Sequence, residues 1–275
     1  MTDMGFVGAG KMGTPMVERL VAAGHRVVVH ARRAEAREQL ALLGAVAVAD
    51  VGEAVEGADV VLACLFSDEQ LAEAGPEIAR AMPPGAVLAS HVTGTAGTLS
   101  RLGADVPGWA DRIVDAPVSG TETEIREGRL TVLLGGAEDA VDRVHGVVAS
   151  YADPILRTGG FGSALAMKLV NNLLLAVNSQ TMAEALTLGS RLGLEPRTVL
   201  AALEHCSGGS QASSEALRRP DLAAHAAGMA RYLAKDVAAC TAAAAELGVD
   251  VPRLLLDVVE RGPMPLSATP PRPIS

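Results

Sequence analysis

Short apolar runs alternate with longer stretches of helical spacing across the first half of the chain. Residues 4–7, 26–30, 60–65, 86–89 and 112–114 are compact and rich in Val, Leu, Ile and Ala, as buried strands are. Between them, residues 12–23 and 69–81 set Ala, Leu and Val against Glu and Arg at helical intervals. Such alternation predicts a mostly parallel, doubly wound sheet covered by helices on both faces. A further strand at 154–157 closes this region. After Gly162 the pattern changes. Residues 163–192 keep helical spacing without a proline, and 229–247 and 252–261 read as further helices. The fold class expected is an α/β domain at 1–158 followed by an all-α domain at 159–275. The prolines from Pro263 onward predict an irregular tail.

Composition narrows the function. Of 275 residues, 49% are apolar but only 2% aromatic, so the core must be built from Ala, Val and Leu. A net charge of −9 argues against nucleic acid or an anionic membrane as partner. Cys64, Cys206 and Cys240 lie far apart and do not suggest a disulfide framework, and the six histidines form no metal-ligand motif. No apolar run reaches membrane-spanning length and no leader pattern is visible, so a soluble chain in a reducing, cytoplasmic setting is expected.

The first chemistry is in Gly8-Ala9-Gly10-Lys11-Met12-Gly13, which follows the first strand and opens a helix. The first glycine permits a tight turn, the second lets backbone approach a pyrophosphate, and the third lets helix pack on strand. The helix N-terminus then offers N–H groups and partial positive charge. This is the phosphate-binding turn of a Rossmann domain. The second strand runs into His30-Ala31-Arg32-Arg33, with no acid before Glu35. An acid there would hold a ribose 2′-hydroxyl, whereas a guanidinium pairs with a 2′-phosphate. NADP is therefore expected over NAD.

Two later motifs carry polar groups. Asp115-Ala116-Pro117-Val118-Ser119-Gly120 follows a strand, and Ser119, Gly120 and Thr121 could present donors to an anion or form an ordinary turn. Lys168 stands in an apolar helical run, with Asn171 and Asn172 three and four residues later on the same face. Two helix-disfavoured amides beside a lysine point to a polar cavity, where desolvation suits a lysine to proton transfer.

Together these segments resemble the β-hydroxyacid dehydrogenase family, to which 6-phosphogluconate dehydrogenase and the imine reductases are related. The markers are G-x-G-x-M-G at the start, D-A-P-V-S-G, G-x-G followed by K-x-x-N-N, and Lys235-Asp236 before Gly248 and Pro252. The resemblance implies a Rossmann domain plus a helical domain, a homodimer or homotetramer formed through the helices, and a small-molecule carbonyl or alcohol substrate. It implies Lys168 as general acid/base and Asn172 as the residue that orients substrate and lysine. Ser119, Gly120 and Thr121 would hold a substrate carboxylate, with Asn171 and Lys235 also at the substrate. Cofactor contacts are expected from Gly8, Ala9, Gly10, Lys11, Met12 and Gly13, from His30, Arg32 and Arg33, and from Leu65, Thr93 and Lys235.

The chain departs from the family after Ser119. Where S-G-G-x-x-G-A is usual, it reads Ser119-Gly120-Thr121-Glu122-Thr123-Glu124-Ile125, which brings in two acids that would repel an anionic substrate unless they point away. The loop Ser90-His91-Val92-Thr93-Gly94 also lacks the usual Asp and Ser-Thr pair. The expected activity is NADP-linked hydride transfer on a small 3-hydroxy acid or its semialdehyde. Reduction of imines is the alternative, although Lys168 argues against it. An inactive NADP-binding protein is a third reading.

Overall fold

A computed structural model describes residues 1–104, 106 and 108–266. The chain forms two compact units, Met1–Lys168 and Leu169–Ser275. The first contains strands β1 (Asp3–Val7), β2 (Arg26–His30), β3 (Val46–Val48), β4 (Val60–Ala63), β5 (Val87–Ser90), β6 (Ile113–Asp115), β7 (Val118–Ser119), β8 (Leu130–Gly136) and β9 (Ala152–Gly159). Its helices are α1 (Gly13–Ala22), α2 (Ala34–Leu42), α3 (Val51–Val55), α4 (Asp68–Ala81), α5 (Ala96–Arg101), α6 (Glu122–Arg126) and α7 (Glu138–Val148). Then α8 (Ser163–Arg191) leads into α9 (Pro196–Leu203), α10 (Gln211–Leu217), α11 (Leu222–Glu246) and α12 (Arg253–Arg261).

The sheet runs β3-β2-β1-β4-β5-β6-β8-β7, with β9 pairing β8. The first six strands in this order are parallel, whereas β8 is antiparallel to β6 and β7. This is the doubly wound α/β architecture expected, and the strand order reverses between β1 and β4. Alternation along the strands sends side chains to two cores. Met4, Phe6, Val60 and Leu62 join one, and Val7, Val61 and Ala63 the other. Burial on both faces explains why these strands read as unbroken apolar runs.

The structure revises several boundaries. β4 ends at Ala63 rather than residue 65, because the Cys64 carbonyl turns against Gly8: a Cβ there would sit 2.3 Å from the Cys64 oxygen. β8 is a seven-residue strand that the apolar pattern did not single out. α11 begins seven residues before the expected 229, at Leu222, since Asp221 accepts the Ala224 N–H at 2.9 Å and starts the helix earlier. The tail from Pro263 to Leu266 has no helix or strand, as expected, yet it is packed down. Met264 and Leu266 are buried in the helical unit's core, and the buried Gln180 amide bonds the Met264 N–H and carbonyl, each at 2.8 Å. Pro270, Pro271 and Pro273 of that tail lie outside the described residues.

Candidate active site

Backbone register sets the site. His30 pairs with Val7, Val7 with Ala63, Ala63 with Ser90 and Ser90 with Asp115. Five parallel strands therefore end level. The segments that follow them (Ala31 to Arg33, the Gly8 turn, Cys64 and Leu65, His91 to Thr93, and Ala116 to Ser119) emerge along one edge. Ligands of open α/β sheets bind at this carboxyl edge, beside the reversal between β1 and β4.

The glycine turn has the shape its sequence implies. Gly8 has φ of 104°, and a Cβ at Gly13 would lie 2.2 Å from the Gly8 oxygen, so both positions require glycine. A Cβ at Gly10 would meet nothing within 4 Å. The turn is thus closed toward the protein and open outward, a cradle that a diphosphate fits. Thr14 steadies it, donating its N–H to Gly10 at 2.9 Å and its hydroxyl to Ala9 at 3.1 Å. Met12 stands at the N-cap of α1 without a side-chain bond. The Thr14 N–H is taken by Gly10 and Pro15 has none, so an anion here draws on the partial positive charge of the helix start rather than on these two positions.

Arg32 and Arg33 are exposed just past β2. Sequence reasoning overlooked Arg37, whose guanidinium donates to the Ala31 and Arg32 carbonyls, each at 2.9 Å. Arg37 braces the loop that carries the other two guanidinium groups. His30 is half-buried and its pKa is lowered, first by burial and then by Arg32.

The loop bearing Thr93 is held from both ends. Thr95 donates its N–H to Asp68 at 2.9 Å, and the Asp68 carboxylate fills the space where any side chain on Gly94 would stand. At the other end His91 is buried. Its Nδ1 lies 2.5 Å from the Ala116 oxygen and its Nε2 2.8 Å from the Tyr151 hydroxyl. A carbonyl only accepts, so Nδ1 carries the proton and the Tyr151 hydroxyl donates to Nε2. Burial drives the His91 pKa down to about 4 against the raising effect of the Ala116 bond. Burial also pushes the neighbouring Cys64 thiol up to about 12. Neutral His91 thus ties the loop after β5 to the segment after β6.

Asp115, fully buried, ends β6 and starts α8. Its two oxygens accept the Gly162 and Leu165 N–H groups, each at 2.8 Å. Burial raises its pKa, and the backbone donors pull against that rise. Lys168 follows three residues after Leu165 and is only 8% exposed. The sequence marked Asp115 as part of a motif but not as the cap of a helix some fifty residues on.

Ser119 ends β7, and the two acids after it are both engaged. Glu122 pairs with Arg126 at 2.9 Å, and Arg126 also pairs with Glu18 of α1. Glu124 turns back on Thr121. Its Oε2 accepts the Thr121 N–H at 2.6 Å and the Thr121 hydroxyl at 2.9 Å. The structure therefore occupies the two Thr121 donors that the sequence assigned to a substrate. In the helical unit, α8 continues into Asn171 and Asn172, whose side chains bond each other at 3.1 Å, with Asn172 buried. Lys235 lies on α11, 4.0 Å from Asp236. Trp109 packs a loop, buried, with its indole N–H 3.4 Å from the Leu99 oxygen. Among the described residues no helix is long and apolar enough to cross a membrane.

Comparison with known proteins places these features among relatives. Residues 3–160 match the NAD binding domain of 6-phosphogluconate dehydrogenase, and residues 162–260 match the NAD-binding domain of NADP-dependent 3-hydroxyisobutyrate dehydrogenase. The mitochondrial 3-hydroxyisobutyrate dehydrogenase of Homo sapiens is 30% identical over 210 residues, which cover 75% of this chain and 62% of the human protein. The match thus spans less than two thirds of that relative. The 3-hydroxyisobutyrate dehydrogenase of Pseudomonas aeruginosa is 32% identical, covering 77% of this chain and 72% of its own. Among solved structures, Mycobacterium tuberculosis 3-hydroxyisobutyrate dehydrogenase with L-serine superposes with a TM-score of 0.83 at 26% identity. That match covers 94% of this chain and 91% of the other.

Proposed function

The chain belongs to the β-hydroxyacid dehydrogenase family, and on that premise we propose that it is an NADP-linked oxidoreductase of small alcohols and carbonyls. Its reference substrates are 3-hydroxy acids and their semialdehydes. The nicotinamide, when bound, supplies or accepts the hydride. The protein holds the dinucleotide and handles the proton. The Gly8–Gly13 turn receives the diphosphate, and Arg32 and Arg33, on the loop braced by Arg37, receive a 2′-phosphate.

Proton handling is assigned to Lys168. The observation that carries this is its placement: a buried lysine in the second turn of a helix clamped at its first by Asp115. The Lys168 ammonium gives a proton to the substrate oxygen in reduction, and the amine takes it back in oxidation. Asn172, one turn further along α8, shares that face and orients the oxygen. Alignment and proton transfer together account for the chemistry asked of the protein.

The test is Lys168→Ala. NADPH affinity is expected to stay within about threefold, while kcat falls ~10²–10⁴-fold. An unchanged kcat would remove Lys168 from the reaction. Imine reduction is a second reading, favoured by the engagement of Thr121 with Glu124 and opposed by Lys168. Turnover of a cyclic imine beside that of 3-hydroxyisobutyrate separates the two.

A further inference from the structure

The loop after β7 meets its own carboxylate where a substrate carboxylate would bind. Glu124 Oε2 takes both Thr121 donors, the N–H at 2.6 Å and the hydroxyl at 2.9 Å. The same oxygen lies 3.0 Å from the place a Gly120 Cβ would occupy, so it covers the glycine as well. Gly120 itself has φ of 137°, a conformation that leaves this backbone to glycine. The neighbouring acid does not share the position. Glu122 is drawn away by Arg126, which also fastens α6 to Glu18 of α1.

We infer that Glu124 is a specificity-determining residue: it fills the anion position of the Ser119–Thr121 loop, so the substrate end received there is uncharged. The inference rests on the reading that this loop receives one end of the substrate. Glu124 is tethered three residues from its donors and gives up little freedom to reach them. An incoming carboxylate must displace it and then stand beside it as a like charge, without the donors to neutralise both. A primary amide suffers neither penalty and can donate to the carboxylate. The loop thereby selects 3-hydroxy compounds with an amide or similar neutral end over the free acids.

The matched pair 3-hydroxyisobutyramide and 3-hydroxyisobutyrate, oxidised with NADP, tests this. The wild-type protein is expected to favour the amide by about tenfold or more in kcat/KM. Glu124→Ala should move the ratio at least about tenfold toward the acid. Glu124→Gln keeps the capping geometry but removes the charge, and should move it in the same direction without loss of fold. A wild-type preference for the acid, or a ratio unmoved in both variants, overturns the inference. Amide NMR on the NADP-loaded protein reads the loop without turnover. The Gly120 and Thr121 resonances should stay fixed as 3-hydroxyisobutyrate is added to the wild type and shift saturably in Glu124→Ala. Equal saturable shifts in both proteins overturn the inference. Failure of every form to oxidise either compound would count against the proposed activity, and the titration would still decide the role of Glu124.

Discussion

Acidification should loosen the nucleotide-binding unit through one residue, His91. Its ring is buried neutral, donating to Ala116 and accepting from Tyr151. Burial takes its pKa from the ordinary 6.5 to about 4. Above pH 6.5 the ring is neutral both folded and unfolded, and its contribution to stability is complete. Between 6.5 and 4 the unfolded chain takes up a proton that the folded protein refuses, so stability falls as pH falls through this window. At about 1.4 kcal/mol per pH unit, the whole window corresponds to about 3 kcal/mol, and the span from pH 7 to 5 to about 2 kcal/mol. His91→Gln keeps a donor and an acceptor but does not titrate. Its deficit against the wild type should therefore shrink by about 2 kcal/mol between pH 7 and 5. Urea unfolding at fixed pH measures each value. The protein's one tryptophan, Trp109, is buried in the same unit and reports its unfolding by fluorescence. A deficit constant to within about 0.5 kcal/mol across this range would refute the reasoning.

Asp115→Asn leaves one amide group where two oxygens accepted N–H bonds, and it should cost about 2–4 kcal/mol, read by the same unfolding assay. A change below about 0.5 kcal/mol would mean that the cap does not hold α8. The Arg32→Ala, Arg33→Ala double variant should weaken NADP binding about 10–100-fold and leave NAD within about threefold, as measured by equilibrium titration. Equal losses for the two dinucleotides would remove these arginines from 2′-phosphate recognition.

What could be read from the chain alone was local. Gly8, Gly10 and Gly13 act through backbone a few residues away, so their spacing carried the turn and its ligand class. The long helix was legible because its spacing persists for 29 residues. β8 was not, since it owes its place to distant partners, β6, β7 and β9. The role of Asp115 was hidden for the same reason: its donors lie 47 and 50 residues away. Glu124 is different. Thr121-x-x-Glu124 is a capping-box pattern visible in sequence. The two glutamates drew attention as charges, which obscured that geometry. His91, read as a loop residue, needed the fold to bring Tyr151 from 60 positions away.

The division of the two units inside α8 bears on how such proteins can be recombined. A cut in the turn before the helix would leave the Asp115 carboxylate buried with both of its donors on the discarded side. A graft that respects the chemistry therefore joins the parents beyond Lys168. Every chimaera made this way inherits Lys168, the lysine proposed for proton transfer, with the nucleotide-binding half. The paired asparagines travel with the helical half, so the residues proposed for cofactor choice and those proposed to surround the substrate are exchanged separately.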